Sequence, residues 1–488
     1  MVTRINYGRI KREVRHYFRY VMLSHRWEDH EPDFQMVTQT PVYDLGKSPT
    51  HDKLRTFCTV VRDAECNWAW SDVCCINKSN PLVLQEALVA MFKWYQGSFM
   101  TIVFLRGVRS FSRRGALVKS IWNKRAWTLQ EYIASKVVLF YTEDWTPYLN
   151  LKLPNHKMCP EVISEMEQAT GVPAERLMAL RPGLTSIREK LCLASTRKTT
   201  LVEDAAYSLL GIFSSVGIPA IYGEGQASLG RLLANVLTRS GDMSILAWTG
   251  ESNRFNSCLP ARITAFHEPA MSLLSPPIRG SEMEPALAGS HPLLFDLGVA
   301  LRLYDRLNEL PTPRFAETRM TLSCIIFELP PLSPSRVGSY HVYQADTAIF
   351  GTVEIRTRHD LSRMESLYLV HPWLDTLLER GAFVEDDEQI SDEEVDDDEI
   401  RDVPMTTSEP KFLSHPTPAR AAPVDRATRV RRLVARLRQP FDALLLTSTG
   451  RGGMDYRRVA ADSLITVRFQ EGVSQADILD NVRTIDVL

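Results

Sequence analysis

Polar, charged and aromatic side chains stand at the ends of three apolar segments of this sequence. They are Ser24, Arg26, Trp27, Asp72 and Arg106. If the apolar segments are parallel strands, these ends meet at the edge where doubly wound sheets bind their ligands. Arg26 and Arg106 could then contact a pyrophosphate, and Trp27 could stack on a base. This pattern is typical of a nucleotide site.

The same residues also have an interpretation without a ligand. An ion pair between Arg26 and Asp72 would account for both charges, because a charge in an apolar environment is costly unless it is paired. The tryptophans are predicted to be core aromatics; they are Trp27, Trp68, Trp70 and Trp127. His25 has no obvious Ser or Cys partner in the sequence, so we expect a hydrogen-bonded structural histidine.

The elements that must position these residues alternate between strands and helices. Strands are predicted at residues 20–25, 68–76, 101–108 and 136–141, and helices at 53–66, 82–95 and 125–134. The segment 101–108 is apolar without alternation, as expected for a strand that is covered on both faces. Strand–helix alternation predicts an α/β fold with a parallel sheet flanked by helices.

The pattern of apolar residues and the composition differ in the rest of the chain. Residues 185–250 carry helical apolar stripes and are expected to complete the α/β domain, which would span 20–250 after a basic lead-in at 1–19. Residues 251–380 contain strand-like runs and predict a smaller β-rich domain. The acidic and Pro-rich stretch 381–425 is expected to be a disordered insertion. Residues 426–488 hold an Arg-rich helix and strands that would complete the β-rich domain.

Composition limits the classes of function. The net charge of −2 argues against a dedicated nucleic-acid binder, which would carry a marked basic excess. The eight cysteines form no CxxC pair, so we expect reduced core thiols and no zinc site. No secretory signal is evident, and no apolar run reaches the ~20 residues of a membrane helix. We therefore expect a cytoplasmic protein without a membrane span.

Eight segments resemble the heterokaryon-incompatibility (HET) domain family, in the order in which that family has them. They are YVMLSHRWED (20–29), WAWSDVCCINKS (68–79), MFKWYQGS (91–98), WNKRAWTLQE (122–131), LFYTEDW (139–145), RKTTLVEDAAYSLLGIF (197–213), IYGEGQASLGRL (221–232) and SGDMSILAW (240–248). The sequences of these segments are most similar to the mushroom-type fungal branch of this family. Glu28 departs from the pattern, because the family usually has Gly after the tryptophan.

This resemblance implies a fold and a chemistry. HET domains are suspected relatives of TIR domains, which share a flavodoxin-like parallel sheet and of which some cleave NAD with one glutamate. The glutamate follows a tryptophan by four residues, as Glu131 follows Trp127 here. One carboxylate would suffice, since it can stabilise the ribosyl cation while nicotinamide leaves as a neutral base. Alternatively, Glu131 forms a salt bridge beside Lys124 and Arg125 or caps a helix.

The resemblance also implies a role in fungal non-self recognition and programmed cell death. Two hypotheses follow. In the first, the protein is an NAD glycohydrolase that needs no cofactor beyond NAD as substrate, and Glu131 faces an open crevice. In the second, it is a non-catalytic module that signals by self-association or by binding a protein partner. The second hypothesis predicts a buried, salt-bridged Glu131 and an exposed apolar patch.

Overall fold

The structure is a computed structural model of the chain. It describes residues 7–214, 218–268, 296–337, 340–364, 366–373, 426–449 and 455–488. The predicted insertion at 381–425 lies outside these residues.

The amino-terminal part is built on a parallel sheet of four strands. The strands are β1 (Tyr20–His25), β2 (Trp68–Trp70), β3 (Met100–Leu105) and β4 (Val138–Thr142). Their order is β2-β1-β3-β4, and every pairing is parallel. The predicted α/β fold is confirmed. Because β2 and β3 lie on opposite sides of β1, the direction of winding reverses between β1 and β3, which makes this gap the switch point of the sheet.

Helices surround this sheet and follow it along the chain. They are α1 (Tyr7–Tyr17), α2 (Phe34–Gln39), α3 (Pro49–Asp63), α4 (Asp72–Cys75), α5 (Pro81–Gly97), α6 (Ala116–Lys119), α7 (Trp127–Ala134), α8 (Pro160–Thr170), α9 (Ala174–Ala179), α10 (Ile187–Ser195), α11 (Asp204–Tyr207) and α12 (Ala227–Ser240). The two long helices begin by the usual rules: Ser48 and Asn80 cap α3 and α5 with side-chain oxygens, and a proline follows each cap.

Both faces of the sheet are covered. The side chains of β1 point alternately to the two faces, so the position of a residue in the strand sets its neighbours. Val21 and Leu23 pack in one cluster with Phe57 of α3. Met22 points to the other face, into the core that α5 and α7 share. Because successive strand residues point to opposite faces, Ser24 shares the face of α7 and His25 shares the face of α3.

The predicted strand at 68–76 is wrong beyond Trp70. Pairing with β1 ends at Met22 and Trp70, and the chain then turns into the short helix α4. The Cys75 amide donates to the Ser71 carbonyl at 2.8 Å. Leu23, Ser24 and His25 continue β1 beside β3, while the backbone after Trp70 leaves the sheet and satisfies its hydrogen bonds within the short helix.

The carboxyl-terminal part is rich in strands, as predicted. Its elements are α13 (Leu297–Asn308), β5 (Arg314–Ala316), β6 (Arg319–Glu328), β7 (Ser333–Val337), β8 (Tyr340–Thr347), β9 (Gly351–Thr357), β10 (Leu367–Pro372), α14 (Arg426–Leu437), β11 (Phe441–Ser448), β12 (Asp455–Arg458), β13 (Ile465–Val467), α15 (Gln475–Leu479) and β14 (Val482–Val487). The strands β7, β8 and β9 form a separate antiparallel sheet.

The larger sheet closes on itself. Its pairings run β6-β10-β11-β12-β14 and return to β6, with β5 and β13 attached at the side. Residues on one face of these strands, such as Leu322, Leu444 and Ile485, join the same core cluster as Met22. The other face packs on α13 and α14 in a second cluster. The apolar core is therefore continuous across residue 250.

Candidate functional site

Glu131 lies on α7, against the end of β1. Its carboxylate is 5% exposed and accepts a hydrogen bond from the Ser24 hydroxyl. The same Ser24 oxygen accepts a hydrogen bond of 2.7 Å from the indole nitrogen of Trp122. Ser24 thus acts as donor and acceptor at once, and it joins the strand end to α7 and to the turn before it.

Burial controls the protonation of Glu131. Burial raises the pKa of this carboxyl to about 7, and the nearby charge of Asp72 acts in the same direction. The hydrogen bond from Ser24 and the charges of Arg125 and Arg197 act against that rise. Among the residues that the structure describes, no cation forms an ion pair with Glu131. The salt bridge considered from the sequence is therefore absent.

Arg197 holds the turn that carries Trp122. Its guanidinium is 4% exposed, and it donates to the Arg125 carbonyl at 2.9 Å, the Thr128 hydroxyl at 2.8 Å and the Asn123 side-chain oxygen at 3.1 Å. Nothing in the spacing of the sequence pointed to Arg197, because it lies far along the chain and reaches this turn only in the folded protein.

Trp27 is on the surface, so the prediction that it is a core aromatic is wrong. Its side chain is 44% exposed, and its indole nitrogen donates to Asp72 at 2.7 Å. The Lys78 ammonium lies 3.5 Å from the centroid of the ring, and the Arg125 guanidinium carbon lies at 5.6 Å. Such cation–π contacts hold an exposed indole in place. Trp68 is also exposed, at 47%.

The ion pair suggested between Arg26 and Asp72 does not form. Asp72 accepts from Trp27 instead, and Arg26 is exposed and has no ion pair within the described part of the chain. The reason is geometric: Trp27 comes one residue later, at the point where the chain leaves β1, and its indole reaches Asp72 across the edge of the sheet.

Arg106 belongs to a row of charges on the other face of β1. Its Nε lies 3.2 Å from Glu28, and Glu28 lies 3.1 Å from Lys53. Lys53 also contacts Glu31 at 2.5 Å, and Glu31 contacts the His25 ring at 2.9 Å. The Glu28 carboxylate therefore bridges two cations, Lys53 and Arg106.

Glu31 is the most strongly perturbed acid of that row. Burial raises the pKa of its carboxyl, but hydrogen bonds and charges from His25 and Lys53 outweigh burial and lower the pKa to about 2. His25 is buried, and its Nε2 is hydrogen-bonded to Glu31, in line with the structural role expected for it. The sequence did not single out Glu31 or Lys53.

A turn from the helical segment lies next to α7. Glu203 accepts hydrogen bonds from the backbone amides of Gly223 and Gly225 at 2.8 and 2.9 Å, and Asp204 accepts from the Tyr222 hydroxyl at 2.9 Å. Burial raises the pKa of Asp204, whereas hydrogen bonds from Trp127 and Tyr222 oppose that rise. These two acids therefore anchor the loop at residues 222–225.

Apart from the exposed Arg26, the predicted site residues fall into three places at the carboxyl ends of β1, β2 and β3. Ser24 and Glu131 are buried together, Trp27 and Asp72 are joined at the surface, and Arg106 is paired with Glu28. A cleft of about 830 Å³ lies elsewhere, between residues 249–268 and the strands β8 and β9. Within the described ranges, no cluster of His, Cys, Asp and Glu could hold a metal ion, and no helix is long and apolar enough to cross a membrane.

Comparisons with known proteins agree on one family. Residues 20–116 match the family described as heterokaryon incompatibility protein (HET). An alignment of 220 residues, which covers 42% of this chain, is 34% identical to the vegetative incompatibility protein HET-E-1 of Podospora anserina. The same alignment covers 15% of the length of that relative. No solved structure matches the chain.

Proposed function

We propose that this chain, whose residues 20–116 match the heterokaryon incompatibility (HET) family, acts in fungal vegetative incompatibility as a signalling protein that cleaves NAD. The role in incompatibility is supported by the family match at residues 20–116 and by the relative HET-E-1. Programmed cell death would be the outcome of that signal.

One observation carries the chemistry: Glu131 is a buried carboxyl with no ion-pair partner among the described residues, and it lies at the end of β1. Burying such a group without a counter-charge costs stability. Carboxyls with a strongly raised pKa cluster at functional sites, and the pKa of Glu131 is about 7. Its neighbour Ser24 stands beside the switch point, where doubly wound sheets bind ligands.

The surrounding residues fit the parts of a dinucleotide. Trp27 offers an exposed ring for base stacking, and the exposed Arg26 offers a guanidinium for phosphate. Arg106 is 48% exposed although it contacts Glu28, so it can also reach a phosphate at this edge. In the reaction, water replaces nicotinamide on the ribose carbon, and the products are nicotinamide, ADP-ribose and a proton. The Glu131 carboxylate stabilises the positive charge on the ribose.

The open crevice predicted for a catalytic Glu131 is absent from the structure, where this residue is buried, so access to it requires movement. At 5% exposure the carboxylate cannot touch a substrate. The Trp122 side chain, which donates to Ser24, covers the same buried corner. We propose that the turn at residues 120–126 opens when the protein is activated, and that self-association supplies the activation.

The experiment is nicotinamide release by the full chain at low and high protein concentration. Wild type is compared with Glu131→Gln and with the control Glu86→Gln, since Glu86 is an exposed glutamate of α5. We expect the control to match wild type and Glu131→Gln to lose at least a hundredfold in rate, the scale at which one electrostatic catalytic group contributes. Inert wild type at every concentration would contradict the proposal.

A second candidate is a non-catalytic module that signals by self-association. The burial of Glu131 with its hydrogen bond to Ser24 favours it, as do exposed apolar side chains such as Leu82 (71%) and Val89 (52%) on α5. Analytical ultracentrifugation of wild type and of Leu82→Glu/Val89→Glu tests this candidate. Assembly of an inert wild type that the double variant loses would favour it over catalysis.

A further inference from the structure

Among the residues that the structure describes, the apolar side of α1 has few contacts outside the helix. Every residue from Gly8 to Arg19 is exposed. Its link to the sheet is at its end, where Phe18 stacks on Trp68 and the Trp68 indole donates to the Tyr17 carbonyl at 3.0 Å. A helix of 11 residues is marginal in water by itself, because helices below ~12–15 residues gain too few hydrogen bonds to offset nucleation. A helix of this kind is stabilised by a surface that covers it.

One side of α1 is apolar. Ile10, Val14 and Tyr17 are spaced by four and three residues, so they share one face, and they are 50%, 49% and 54% exposed. Phe18 (58%) and the edge-strand residue Trp68 (47%) extend this surface onto the sheet. We name these five residues the α1 stripe. Tyrosine and tryptophan at its edge are side chains that suit the boundary between water and lipid.

The other side of α1 is strongly basic. Between residues 7 and 19 the sequence has five arginine or lysine residues against one glutamate; the basic residues are Arg9, Lys11, Arg12, Arg15 and Arg19. The whole chain, by contrast, has a net charge of −2. The helix that carries the exposed apolar stripe is therefore locally basic in a chain of nearly balanced charge.

We propose that α1 binds the surface of an anionic lipid bilayer, with the α1 stripe inserted at the headgroup level and Lys11 and Arg12 against the phosphates. A short helix with a basic face and an aromatic and aliphatic face lies in the plane of a membrane in this way. Each basic residue near the surface adds to the attraction. A second copy of α1 fits less well, because pairing two such helices brings like charges together.

This inference goes beyond the proposed function, since it concerns where the protein acts and not what Glu131 does. The two are also separable by experiment. Glu131→Gln changes a buried residue of α7, so it should leave lipid binding unchanged. A variant of α1 should leave nicotinamide release in the absence of lipid unchanged.

The test is co-sedimentation of the full chain with phosphatidylcholine vesicles, with and without phosphatidylserine. We expect wild type to bind the anionic vesicles and to dissociate as salt is raised. Ile10→Glu/Val14→Glu removes the apolar contact, and Lys11→Glu/Arg12→Glu reverses two charges; each should weaken binding by about tenfold or more. The matched controls are Leu82→Glu for the apolar change and Lys47→Glu/Arg113→Glu for the charge change, all at exposed positions away from α1.

Three results would overturn the proposal. Wild type that ignores anionic vesicles contradicts it directly. Equal binding by wild type and by both α1 variants would assign the lipid contact to another surface. If wild type dimerises without lipid and Ile10→Glu/Val14→Glu does not, the stripe is an interface with a second copy. Unchanged thermal unfolding of the variants would confirm that they fold, as expected for exposed positions.

Discussion

At the scale of single residues, the neighbours Ser24 and His25 show how one strand serves two networks. Ser24 donates to Glu131 on one face of the sheet, and His25 contacts Glu31 on the other. Two-residue alternation is enough to separate them. The two carboxyls then have opposite pKa shifts, to about 7 for Glu131 and about 2 for Glu31. The difference arises because Glu31 contacts His25 at 2.9 Å and Lys53 at 2.5 Å, whereas Glu131 has no ion-pair partner among the described residues.

The raised pKa of Glu131 predicts a pH-dependent stability difference between wild type and Glu131→Gln. Between pH 4.5 and about 7 the folded state holds a proton that the unfolded state has lost, so the free energy of unfolding of wild type falls as pH rises. Glutamine does not titrate. The variant should therefore gain on wild type between pH 5 and 8, by up to about 3 kcal/mol.

Urea denaturation of both proteins across this pH range measures the effect. The other titrating groups cancel in the difference, and Glu86→Gln should show no trend, because Glu86 is exposed. A difference that stays flat with pH would mean that Glu131 is ionised in the folded protein and paired with a cation.

At the scale of elements, the contact between α5 and the segment after α11 depends on a missing side chain. A Cβ placed on Gly211 would lie 2.1 Å from the Cβ of Phe92 in α5. Real Cβ atoms do not approach so closely, so one element must move away from the other. The core that both share also contains Met22 and Leu129, and the disturbance would thus be transmitted towards the candidate site.

Gly211→Ala should therefore destabilise the protein by about 1–3 kcal/mol, the usual cost of overpacking a core. Gly46→Ala is the matched control, because a Cβ there meets nothing within 4 Å. Thermal unfolding monitored by circular dichroism compares the two variants with wild type. Equal midpoints for both variants would show that α5 tolerates displacement at this contact.

At the scale of the whole molecule, one buried arginine ties the carboxyl-terminal strands to the preceding segment. Arg458 of β12 donates to the carbonyls of Leu246, Trp248 and Cys258 at 2.6, 3.1 and 3.3 Å. Its guanidinium carbon lies 3.8 Å from the centroid of the Trp248 ring. These backbone carbonyls lie outside the α-helices and the paired strands, and they accept hydrogen bonds from the Arg458 guanidinium.

Arg458→Leu should cost about 2–5 kcal/mol, since it removes the guanidinium donor from the buried carbonyls of Leu246 and Trp248. Arg457→Leu is the control, because Arg457 is the exposed neighbour on the same strand. Limited proteolysis and urea denaturation measure the loss. A variant as stable as the control would indicate that the two parts of the chain hold together through apolar contacts alone.

The sequence by itself determined the elements of the α/β part. Apolar segments such as 20–25 and 101–108 predicted β1 and β3, and the helical stripe at 82–95 predicted α5, because periodicity of burial is a local property. It also identified Glu131 as a candidate catalytic residue and Ser24 as a candidate binding residue. Their mutual contact stayed unpredicted, although both were named.

Only the tertiary structure decided which partner each polar residue has. Asp72 accepts from Trp27 and not from Arg26, Arg197 reaches back to the turn before α7, and Glu28 bridges Lys53 and Arg106. Each pairing depends on which segments lie next to one another in the fold and on the direction and reach of each side chain. The sequence carries the chemical types of the groups, whereas burial and distance, which set pKa and pairing, exist only after the chain has packed.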